Sequence, residues 1–176
     1  MFDGSSTLFY TRKFVNCGGY SIRRRAITSG ITSLRATGAT LYEPFHLWYL
    51  AMAYAQIGQT DDARHCIDDA IDKVARSKEK WCEAEVHRIA GEIALGSPQP
   101  EDAKAETYFE RALAVARQQQ AKSWELRAAM SMARLWRSHG KSQQARELLA
   151  PVYGWFAEGF DTLDLKEAKA LLAELA

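Results

Sequence analysis

The side chains with chemical potential lie in three short runs. Glu83, Glu85, His87 and Glu92 share one stretch beside Cys82, and Glu83 and His87 stand at i, i+4. On a helix that spacing puts a carboxylate and an imidazole on one face, the beginning of a metal site. No second ligand pair of the H-E-x-x-H kind accompanies them, so the run reads as structure and surface, with His87 packed against a neighbouring helix. His65 and Cys66 are adjacent, and adjacent helical residues point about 100° apart. A Cys/His nucleophile pair also needs a third, orienting group, so Cys66 reads as a small packing residue. Arg23, Arg24 and Arg25 are the third run, suited to phosphate. In a chain with 23 Lys+Arg against 22 Asp+Glu they read as a solvated helix face, and we expect no nucleic-acid partner. Ser5-Ser6 and Gly18-Gly19 are followed by no Lys-Ser/Thr, and no G-x-x-x-x-G-K-[ST] occurs. No catalytic, cofactor-binding or metal-ligating residue is assigned, and no cofactor is expected.

The elements that carry these residues are helices. Leu47, Leu50, Ala51 and Tyr54 fall on one face, as do Ala63, Ile67, Ala70, Ile71 and Val74. Alternation of period two is nowhere sustained. The breaks are short: Gly58–Thr60, Ser77–Lys80, Gly96–Gln99, Gln120–Ser123, Gly140–Ser142 and Gly159–Thr162. Such lengths suit antiparallel helix hairpins. Thr60, Ser97 and Asp161-Thr162 stand ahead of acidic first turns, which predicts side-chain caps there. Pro151 lies within an apolar helix and is expected to kink or end it. Of 176 residues, 47% are apolar and 26% charged, so wholesale disorder is excluded. No apolar run approaches eighteen residues, no secretory signal is apparent, and three scattered cysteines make no disulfide framework. These features predict a cytoplasmic protein that does not enter the membrane.

The helices repeat. Leu50-Ala51-x-x-Tyr54 leads to Ala63, Ile67 and Ala70; Ala90-Gly91-x-x-Ala94 leads to Ala105, Phe109 and Ala112; Met132-Ala133-x-x-Trp136 leads to Ala145, Leu149 and Val152. Small residues let two helix backbones approach, and the large ones fill the gap to the next hairpin. One hairpin cannot bury both faces, whereas stacked hairpins share a continuous core. Trp81 and Trp124 each stand at the start of a first helix and read as inter-repeat packing, while Trp48 falls on the concave face.

This pattern resembles the tetratricopeptide repeat (TPR), whose motif is L-G-x-x-Y, then A-x-x-x-F, then A. The period here exceeds that of the family and the closing proline of each repeat is missing, which suggests longer helices. A second resemblance spans roughly residues 20–176. Trp81–Arg88, Ser123–Ala129 running to Trp136, and Leu149–Phe156 with Glu158–Thr162 and Asp164–Ala168 look like the C-terminal tail of bacterial class III adenylate/guanylate cyclase–ATPase signalling proteins. The chain holds neither the ATPase motif nor room for a cyclase domain beside its repeats.

The expectation is an all-α, TPR-like right-handed α-solenoid: a partial N-terminal hairpin over 1–41, three repeats over 42–162 and a capping helix over 163–176. The resemblance implies a non-catalytic scaffold that binds a peptide or neighbouring domain on its concave face, or a tail regulating an attached cyclase or ATPase in cis. In TPR arrays the inner positions are −6, −3, +1 and +4 from the small residue. Here these are Phe45, Trp48, Met52 and Ala55; Glu85, Arg88, Glu92 and Leu95; Arg127, Met130, Arg134 and Arg137. The groove is expected to be apolar at one end and basic at the other, with Arg127, Arg134 and Arg137 either paired with Glu85 and Glu92 of the neighbouring hairpin or, short of local partners, open to an acidic ligand. Residues 1–17 look like a worn first helix, which predicts self-association through that end or disorder of the first residues.

Overall fold

The computed structural model describes residues 28–30, 32–33, 36–37, 42–77 and 80–176. The expectations for residues 1–17 and for Arg23–Arg25 lie outside the described residues. Among the described residues from Glu43 onward there are seven helices: α1 (Glu43–Gln56), α2 (Thr60–Arg76), α3 (Glu83–Leu95), α4 (Asp102–Gln118), α5 (Lys122–Ser138), α6 (Ser142–Gly154) and α7 (Leu163–Glu174). No strand occurs among the described residues.

Consecutive helices pair as hairpins: α1 with α2, α3 with α4, and α5 with α6. Each second helix buries a stripe on one face: Ala63, Ile67, Ala70 and Val74 on α2; Ala105, Phe109 and Ala112 on α4; Ala145, Leu149 and Val152 on α6. Gly91 shows why the small positions matter. A Cβ there would sit 2.4 Å from Cε1 of Phe109, inside van der Waals contact, so only glycine admits this ring. The hairpins stack, α3 touching both helices of the first and α5 both helices of the second. Two large core clusters result. One joins the first hairpin to Cys82, Val86, Ile89, Ala90 and Ile93 of the next; the other runs from Ala94 and Leu95 to Leu175.

The links fall where the sequence breaks. Gly58 and Gly140 follow α1 and α5 at φ +77° and +73°, a conformation glycine adopts without strain. Both turns close with the same pair of backbone bonds, such as Gly58 N to Ala55 O and Gln59 N to Tyr54 O. The expected side-chain caps are not formed. Thr60 is itself helical, with Gln59 at the N-cap, and the Thr162 hydroxyl donates backward to Gly159 O at 2.7 Å. Asp61, Asp62, Asp102 and Asp164 nevertheless place negative charge in first turns, where the helix dipole favours it. α6 does not end at Pro151 but runs on to Gly154. Pro151 lies on the exposed side of the helix, and its missing N–H leaves the Glu147 carbonyl without its helical donor.

Candidate protein-docking face

The inner face is built by the first helices α1, α3 and α5, with α7 beside α5. Its N-terminal end is aromatic. Phe45 lies with its ring centroid 4.8 Å from that of Tyr49, 5.5 Å from Trp48 and 5.5 Å from Trp81; Trp81 in turn meets Tyr42 at 5.9 Å. Tyr42, Tyr49 and Trp81 are 49%, 43% and 42% exposed. Trp48 departs from its expected place. It is 4% exposed, stacked under Tyr49, and its indole nitrogen is buried without a hydrogen-bond partner. Phe45 and Met52 are partly exposed and Ala55 is exposed.

The other end is a ladder of ion pairs. Arg88 is buried and grips the buried Glu85 with two bonds of 2.8 Å, reaching Glu92 at 3.3 Å and Ser131 at 3.4 Å. Ser131 donates to Glu92 at 2.6 Å. Arg127 stands 2.7 Å from Asp164 and 3.6 Å from Glu85, with its guanidinium over the Trp124 ring. Arg134 meets Glu167 at 3.2 Å, and Arg137 pairs with Glu174. Met130 is buried at 1% exposure and Leu95 is also buried. The stripe is therefore paired rather than open, through Glu85 and Glu92 as one of the two expectations had it and through further carboxylates besides. Every arginine on it faces a carboxylate, and three of those carboxylates come from α7.

Asp164, Glu167 and Glu174 were missed as groove residues because α7 reads in sequence only as alternating charge. A signal was present. Ala170 precedes Glu174 by four and follows Asp164 and Glu167 by six and three, the same offsets that define the inner face elsewhere. The pairs Arg127–Asp164, Arg134–Glu167 and Arg137–Glu174 advance together along both helices, so α7 lies parallel to α5 as a further first helix.

The other sequence candidates are absorbed by packing. His87 Nε2 is 4.0 Å from Glu83, whose carboxylate is held by Arg111 at 3.0 Å, and the His87 ring stacks on Tyr108. Burial lowers the His87 pKa below its ordinary value. Cys82 is buried in the first core cluster and Cys66 packs against the same cluster from its edge. No group of three His, Cys, Asp or Glu side chains converges among the described residues. Glu125 points away from the groove, toward Arg117 at 3.0 Å and Lys122 at 2.7 Å. Burial pushes its pKa up, but these two cations outweigh that and hold it low.

No family profile matches the chain, and no curated protein matches it. Among solved structures it is similar to the nearly identical TPR-like repeats of a Podosopora anserina protein described as a kinesin light chain. The TM-score is 0.69 at 16% identity, over 97% of this chain and 83% of the other. That likeness establishes the fold: a TPR-like helical repeat array, an all-α solenoid. No helix among the described residues is long and apolar enough to cross a membrane.

Proposed function

We propose that the chain is a non-catalytic interaction scaffold whose docking surface is the aromatic end of the inner face. Phe45, Tyr49 and Met52 of α1 form it with Tyr42 and Trp81. One observation carries this reading: the arginine end is already matched by α7, whereas the aromatic end leaves large rings open to water in mutual contact. Exposed aromatic side chains supply apolar area at low entropic cost and dominate protein contacts when a partner covers them. Of the expected groove residues, Phe45 and Met52 act here; Glu85, Arg88, Glu92, Arg127, Arg134 and Arg137 hold the inner helices to one another.

The test is capture of partners from the native cell by Tyr49→Ala/Trp81→Ala beside Arg134→Glu/Arg137→Glu, with circular dichroism to establish folding. The aromatic variant is expected to retain about a tenth or less of each partner, as when central aromatic anchors are truncated. Full retention by the folded aromatic variant, with loss in the charge-reversed one, returns recognition to the basic stripe. A second reading keeps the same surface but makes its partner a cyclase or ATPase domain of the same polypeptide, in the cytoplasm. It is supported by the resemblance over roughly residues 20–176, and an in-frame cyclase or ATPase upstream in the gene is its test.

A further inference from the structure

The aromatic end of the inner face holds a donor that nothing satisfies. The Trp48 indole N–H is buried without a hydrogen-bond partner. The Tyr49 ring lies on that indole, with centroids 3.8 Å apart and planes 25° from parallel. A buried donor left unpaired is costly, and folded proteins keep few of them. The rings around it are exposed and add donors of their own. The Trp81 indole nitrogen can only donate, and the Tyr49 phenol offers an O–H. Charge plays no part here. Glu43 is the one Asp, Glu, Lys or Arg of α1, and it pairs with Lys73 at 2.9 Å.

A partner complementary to this set has free acceptors, few donors and no charge. An α-helix has spent its carbonyls on its own N–H groups. A β-strand brings an N–H with every carbonyl. A polyproline II segment leaves its carbonyls unbonded, and each proline removes a donor. Ring geometry favours the same occupant. Phe45 is inclined to Tyr49 by 68° and Trp81 to Tyr42 by 75°, which leaves clefts between ring edges for the flat faces of proline. The spacing fits as well. Phe45 and Met52 lie seven residues apart on one face of α1, about 10 Å along its axis, with Tyr49 between them. Two prolines three positions apart in polyproline II are separated by about 9 Å.

We propose that the aromatic end binds a proline-rich segment of another protein in the polyproline II conformation, one of whose backbone carbonyls accepts the Trp48 N–H when Tyr49 turns aside. This rests on the reading of that end as the docking surface and assigns the class of its partner.

The probe is fluorescein-labelled decaproline, titrated into the whole 176-residue protein and followed by anisotropy. Saturable binding is expected, indifferent to added salt because no ion pair forms. It is expected to be about ten-fold tighter than that of a Gly/Ser decamer with the same label, whose chain must be ordered on binding. Tyr49→Ala/Trp81→Ala is expected to weaken it about ten-fold or more. Trp48→Phe keeps a ring under Tyr49 and removes only the indole donor, so it is expected to retain the native circular dichroism and weaken decaproline about three-fold or more. In the wild-type protein the nitrogen–proton correlation spectrum carries five indole cross-peaks, one per tryptophan. The one missing from Trp48→Phe is expected to move downfield as unlabelled decaproline is added. That measurement needs no affinity from the variant. Absence of saturable binding overturns the proposal, as does equal binding of the Gly/Ser decamer. A Trp48 cross-peak that stays in place at saturation overturns it too. Loss of cellular partners by Tyr49→Ala/Trp81→Ala while decaproline fails to bind overturns the proline-rich class and leaves the docking surface standing. Full retention of partners by that variant overturns the surface itself.

Discussion

His87 is half-enclosed between α3 and α4, with one ring nitrogen buried and unpartnered and the ring 6.3 Å from that of Tyr108. Burial disfavours its cationic form, Arg111 acts the same way, and Glu83 opposes them without prevailing. The folded pKa is therefore below the 6.5 of the unfolded chain. Below pH 6.5 the unfolded state takes up a proton that the folded state refuses, so stability falls as pH drops from 6.5 toward the folded pKa, and is flat above that window. Each pKa unit of depression corresponds to about 1.4 kcal/mol. The expected outcome is a urea midpoint that declines between pH 7 and 5 and a shallower decline in His87→Gln. An unchanged slope in that variant would assign the acid sensitivity to other groups. At this scale the sequence was partly readable. The i, i+4 spacing of Glu83 and His87 suggested a ligand pair, and the position of His87 ahead of Gly91 favoured packing. Trp48 shows the opposite case. Its offset from Ala51 placed it on the inner face, but Tyr49 stacks over it, and one residue's neighbour is not encoded in its repeat position.

The hairpins were legible because their causes are local. Small residues recurring at fixed spacing mark where backbones touch, and glycines at 58 and 140 mark where the chain reverses. Caps were not legible, because Thr60 and Thr162 can satisfy free amides or be absorbed into the helix and turn, and backbone bonds decided it. The charged ladder was illegible for a different reason. It joins residues 33 to 37 apart, on helices whose register against each other is set by stacking. Gly91 is where α3 and α4 lock, and it provides the test at this scale. Gly91→Ala gains about 1 kcal/mol of helix propensity but drives a methyl into Phe109, and overpacking of a filled core costs about 1–3 kcal/mol. A net loss of up to about 2 kcal/mol is expected in denaturant unfolding. Phe109→Leu removes the ring that the methyl meets, so the double variant is expected to lose less than the two single losses combined. Strict additivity would show that the hairpin gives way elsewhere.

Across the whole molecule, stacking without closure makes each hairpin depend on its neighbours rather than on one centre. The two large core clusters meet within α3, which gives Val86, Ile89, Ala90 and Ile93 to the first hairpin and Ala94 and Leu95 to the other side. α7, with the Leu175 that caps it, buries Leu165, Ala168, Leu171 and Leu175 in the second cluster and neutralises Arg127, Arg134 and Arg137. Its removal therefore strips apolar cover and three counter-charges from the third hairpin while touching nothing in the first. In an array of nearest-neighbour interfaces the loss decays with distance. A chain truncated after Thr162 is expected to show faster backbone hydrogen exchange in α5 and α6, a smaller change in α3 and α4, and α1 and α2 close to the intact protein. Each exposed leucine accounts for about 1.5–3 kcal/mol of lost burial, enough to raise exchange in the third hairpin by more than ten-fold. Leu171→Asp in the full chain introduces a charge at the same interface and is expected to give the same gradient with weaker amplitude. A uniform rise in exchange from α1 to α6 would mean that the two clusters unfold as one unit, and the hairpins would then be parts of a single cooperative core rather than links in a solenoid.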